Sequence, residues 1–178
     1  MIRSFLKRKL TDDQLANIFV NGLVESIDNS FEVVCSILND DPSFISSPKI
    51  TNEYSSEFFI IVLAGNLFYL EENFDSDVKS RLESLILTKC AVFFNKNHTE
   101  FSLFVKEYKS YISRVNHPSK NVVKGMSKAL FFKYNLNEYQ DVYFKNMQAP
   151  NPLFLKRMED LFYYFIWDWD VFFKKYKV

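Results

Sequence analysis

Few side chains in this sequence are suited to metal or nucleophilic chemistry. There are two histidines, His98 and His117, and two cysteines, Cys35 and Cys90. A metal site needs several His, Cys or carboxylate ligands, and on one helix a ligand pair stands three or four residues apart. Neither histidine has a second His, Cys or Glu at that spacing, so each reads as a loop or helix-end residue. The Glu-x-x-His pair of helical di-metal carboxylate proteins does not occur even once. Cys35 and Cys90 lie far apart in apolar stretches, and are expected as reduced, buried thiols rather than a disulfide framework or a zinc spacing. No cofactor is expected.

Nucleophilic catalysis by Ser or Cys, and phosphate binding by a backbone cradle, both leave glycine-rich turns in a sequence. Gly22, Gly65 and Gly125 are instead isolated inside helical patterns, where they read as points of close helix packing. The carboxylate pairs Asp12 with Asp13, Asp40 with Asp41, and Asp75 with Asp77 stand at expected helix starts and stops, where acidic groups complement the dipole or stabilise a turn. No catalytic motif emerges, and the expectation is a protein that is not an enzyme. An enzyme whose residues converge only on folding is the third alternative.

Two surface features could recognise a partner. Lys120, Lys124 and Lys128 recur every four residues with Phe131 a turn later, a stripe that could meet phosphates on nucleic acid or an anionic lipid head. With 22 basic and 22 acidic side chains the whole molecule has no steering field, so a solvated helix face is expected and no nucleic-acid partner. The N-terminal run Phe5, Leu6, Lys7, Arg8, Lys9, Leu10 could touch a membrane surface, but one short amphipathic turn does not anchor a protein. Its apolar residues form no signal-peptide core. The longest uncharged segment, 58–70, has 13 residues against the roughly 20 that a membrane span needs. A cytoplasmic location follows as an expectation.

The elements that must position these residues are helices. Large apolar side chains are abundant, with 20 Phe and 10 Tyr, whereas 3 Gly and 5 Pro allow few sharp turns. Thr11 and Gln14 in capping-box spacing open a first helix, and Asp28, Asn29, Ser30 are expected to end it and start a second. A connection follows over 42–52. The third helix, near 56–73, is apolar on nearly every side and belongs in the middle. A fourth opens at Asp75 and Ser76. A fifth carries Phe101, Phe104, Val105, Tyr108, Ile112 and Val115 on one stripe, opposite Lys106, Ser110, Ser113 and Arg114. A sixth is expected over 119–134 and a short seventh at Asn137 and Gln140. The expected fold is all-α, a single-domain bundle of about seven helices over 11–178 behind a basic N-terminal segment, 1–10.

Asn151 before Pro152 opens a long C-terminal helix expected over about 152–176. Phe154, Leu155, Met158, Leu161, Phe162, Phe165, Ile166, Trp169, Phe172, Phe173 and Tyr176 fill its core arc. On the opposite arc Tyr163, Tyr164, Trp167 and Val171 stand among charges, the composition of a binding hot spot. Cover by another part of the same chain is the alternative. The leading functional expectation is a non-enzymatic interaction module that binds a protein partner, or itself as a homodimer, through this outer face. The alternative is a bundle holding an apolar small molecule between its helices.

Overall fold

The computed structural model describes residues 7–178, so the expectations for Phe5 and Leu6 lie outside the described residues. Helix covers 74% of the structure, and the fold is an all-α bundle. Helix α1 (Asp12–Asn39) begins at the expected capping box: the Thr11 hydroxyl accepts from the Gln14 amide, and the Gln14 side chain accepts from the Thr11 amide. It then runs unbroken through Asp28, Asn29 and Ser30, where a boundary was expected. Buried Leu23, Ile27, Phe31, Val34 and Leu38 continue one stripe across that point, so packing overrides the local preference of three polar residues.

Helix α2 (Ser55–Phe68) is the central element. Its residues Phe58 to Leu67 are all buried, and it packs against α1, α5 (His98–Asn116) and α6 (Val122–Lys133). A single turn, α3 (Leu70–Asn73), separates it from α4 (Ser76–Phe93), which lies along α1. Two of the three glycines sit where one helix presses on another. A Cβ on Gly125 would stand 2.8 Å from Cγ2 of Ile112 and 3.0 Å from its carbonyl oxygen, so α5 and α6 approach closely there. A Cβ on Gly65 would collide with the Met126 side chain, which brings α2 against α6.

The C-terminal half departs from two expectations: a single 3-10 turn, Leu136–Tyr139, stands at Asn137 and Gln140 where the short seventh helix was expected, and the last helix is divided. Instead of one helix over 152–176 there are two, α8 (Pro152–Tyr163) and α9 (Trp169–Lys175), following the short α7 (Val142–Met147). The amides of Tyr164 and Phe165 turn back to the carbonyls of Leu161 and Phe162, closing α8. The Asp168 carboxylate then accepts from the Val171 amide and caps α9. Of the expected core arc, Phe154, Leu155, Met158, Phe162, Phe165, Trp169 and Phe172 are buried on both sides of the break, whereas Leu161, Ile166, Phe173 and Tyr176 are half-buried against the core. The last residues form a two-residue parallel pair, Arg8 with Tyr176 and Lys9 with Lys177, and Leu10 is buried behind it. Lys7 to Leu10 are thereby joined to the helical body.

Candidate functional site

The break between α8 and α9 divides the expected C-terminal patch. Tyr163 and Tyr164 remain on the surface, Tyr164 at 84% exposure, and Val171 is also exposed. Trp167 turns inward. Its ring meets Phe19 edge-on at 5.3 Å, and a Cβ on Gly22 would lie 2.7 Å from its Cζ3, so the glycine makes room for the indole on α1. Asn66, buried in α2, holds this turn by donating to the Phe165 carbonyl at 2.8 Å and accepting from the Trp167 amide at 2.7 Å. Self-cover, the alternative weighed for the patch, therefore applies to Trp167 and not to the two tyrosines.

The lysine stripe is also divided. Lys120 is exposed but precedes α6, whereas Lys124 and Lys128 are half-buried on it and Phe131 is a core residue. Burial, followed by the like charge of Lys124, lowers the pKa of Lys128. A continuous, fully hydrated basic face is not what these positions form.

Two concave regions flank α5. The first, about 590 Å³, opens between the start of α2 and the N-terminal half of α5. Ile60 and Phe101 are buried at its base, and Phe94, Phe104 and Tyr108 complete its aromatic wall. Phe94 and Phe101 stack at 5.6 Å, while Phe104 meets Tyr108 edge-on at 5.0 Å and is 43% exposed. Glu53, Glu57 and Glu100 also line this cleft, with Lys96 as its one cationic group. The Tyr108 hydroxyl donates to Glu57 Oε1 at 2.6 Å, which fixes that carboxylate in the wall. Burial, and then the acceptance of that hydrogen by Glu57, raise the Tyr108 pKa. Among the described residues none of the three carboxylates is in an ion pair. The Tyr108 ring also has the Lys133 ammonium 4.5 Å from its centroid, so this side chain already accepts a cation–π contact.

The second region, about 880 Å³, lies between α4 and α5 and carries Lys79, Glu83, Lys106, Lys109 and Arg114. It falls on the polar side of α5 that the sequence places opposite the core stripe.

Sequence reading assigned Phe101, Phe104 and Tyr108 to the core stripe and did not single out Glu53, Glu57 or Glu100. Phe104 sits at the edge of that stripe, where one helical turn decides between core and cleft. Glu53 and Glu57 stand four residues apart, but no local spacing links them to Glu100 on α5. Among the described residues no group of three or more His, Cys, Asp or Glu side chains is placed to hold a metal ion, and no helix is long and apolar enough to cross a membrane. The chain matches no protein-family model, no curated protein and no solved structure.

Proposed function

We propose that the protein is a non-enzymatic interaction module that captures a basic side chain, Lys or Arg, of a partner protein in the cleft between α2 and α5. The observation that carries this reading is the combination of an aromatic wall with three carboxylates that have no ion-pair partner among the described residues. Aromatic faces attract a cation through their quadrupole, and carboxylates at the rim supply direction and charge. The half-buried Glu57, pinned by Tyr108, is preorganised to receive it. Tyr163 and Tyr164 offer a further exposed aromatic contact elsewhere on the surface, without a pocket to fix a partner. The cleft volume also suits a small organic cation, which is the second reading.

Nuclear magnetic resonance titration with N-acetyl-arginine amide and with tetramethylammonium tests both. The guanidinium probe is expected to shift the resonances of Phe101, Phe104 and Tyr108 more strongly than the quaternary ion. Changing Glu53→Gln together with Glu100→Gln is expected to weaken that binding by about twofold to thirtyfold, in line with about 0.2–1 kcal/mol per exposed charge contact. Stronger binding of tetramethylammonium would favour the small-molecule reading. No response to either probe at low salt would overturn the assignment.

A further inference from the structure

The groove between α4 and α5 contains more positive charge than its own ion pairs consume. Lys79 binds Glu71 at 2.8 Å and lies 3.6 Å from Glu83, which Lys109 holds at 2.9 Å. These four side chains balance one another. Lys79, Glu83 and Lys109 are each about one-fifth exposed, so the two ammonium groups are fixed at the groove wall rather than free to swing. An ammonium has three donors, and Lys109 gives one to Glu83, which leaves others for a bound acceptor.

The surplus charge is on the α5 lip. Lys106 and Arg114 line the groove and are in no ion pair among the described residues. The Arg114 guanidinium lies 5.2 Å from the Tyr111 ring centroid, which limits its motion. Ser110 and Ser113 stand between them at helical spacing and add hydroxyl donors. Beneath this polar lip the groove is apolar, with Phe68, Leu87 and the buried Val105 below it. A cationic lip with hydroxyl donors over an apolar floor suits a doubly charged oxyanion attached to an apolar body.

We propose that this groove binds a phosphate monoester whose organic portion is apolar or aromatic. Lys106 and Arg114 take the phosphate, Ser110 and Ser113 donate to its oxygens, and the organic portion lies over Leu87 and against Phe68 beside the Lys109 ammonium, which stands 5.2 Å from the centre of that ring. This site is separate from the carboxylate cleft and does not depend on it.

The test is a titration of the full chain with phenyl phosphate, inorganic phosphate and phenol, followed by resonances of Lys106, Ser110, Ser113 and Leu87. Phenyl phosphate is expected to bind at least about tenfold more tightly than inorganic phosphate, and phenol not to bind, because both halves of the ligand contribute. Lys106→Glu with Arg114→Glu is expected to abolish phenyl phosphate binding. Both positions are exposed, so the fold should be retained, with the melting temperature lowered by only a few degrees through loss of the Arg114–Tyr111 contact and an acidic group in the last turn of α5. Glu53→Gln with Glu100→Gln should leave phenyl phosphate binding intact, which separates this proposal from the cation cleft. Equal affinity for phenyl and inorganic phosphate would overturn the apolar half. Binding that survives the double charge reversal, or no binding at low salt, would overturn the site itself.

Discussion

Asp41 follows α1 with its side chain fully enclosed, and its charge is balanced from 116 residues away. Arg157 donates from Nε and Nη2 to the two carboxylate oxygens at 2.8 and 2.6 Å, and the Ser43 amide donates to Oδ1 at 2.8 Å. Desolvation alone would raise the Asp41 pKa, but the hydrogen bonds from Arg157 and Ser43 outweigh it, and the net shift is downward. A lowered folded-state value means that the carboxylate contributes stability above the ordinary aspartate value of about 4, and that this contribution is lost as pH falls through the lower folded value. Asp41→Asn is therefore expected to destabilise the protein at neutral pH, with the difference from the natural protein shrinking below about pH 4. Denaturant unfolding across that range measures it, and a difference independent of pH would refute the pairing. In the sequence Asp41 reads only as a turn residue before Pro42, because nothing local announces Arg157 as its partner.

At the scale of elements, Asn66 decides where the C-terminal helix breaks. It is 1% exposed on a helix otherwise apolar all round, and besides the Phe165 carbonyl its amide reaches the Val62 carbonyl at 2.9 Å. One side chain thus serves both a carbonyl and an amide freed between α8 and α9, groups that would cost free energy if buried unpaired. Asn66→Leu is expected to cost about 2–4 kcal/mol and to shift Trp167 and Trp169 fluorescence toward that of exposed indole. A variant with native stability and native fluorescence would show that the break is held by packing alone. Apolar periodicity ran across 164–168 without interruption, which hid the capping role of Asp168. Conversely, the polar cluster at 28–30 suggested a boundary that the stripe of α1 removes. At 164–168 the spacing of large apolar residues marks the buried face and misses the break, whereas at 28–30 the same spacing runs on correctly and the polar residues mislead.

For the whole molecule, the Trp167 and Trp169 rings both pack on Phe19 of α1, and α1 in turn packs on α4 and α2. The first and last described segments meet where Lys9 pairs with Lys177. Helix content and tryptophan environment are therefore expected to be lost in one transition: far-ultraviolet circular dichroism should show a helix-dominated spectrum, and its melting curve should coincide with that of tryptophan fluorescence. Separate midpoints would mean that α8 and α9 open independently of the bundle. The sequence by itself determined the all-α class, the buried central helix, the glycine contact points and the core arc of the C-terminal segment, because each follows from local periodicity and residue size. Tertiary structure alone decided that Trp167 turns inward, that Asp41 meets Arg157, and that Glu53, Glu57 and Glu100 surround one aromatic cleft. Those outcomes depend on which segments fold against each other, and electrostatic pairing between residues distant in the chain leaves no spacing to read.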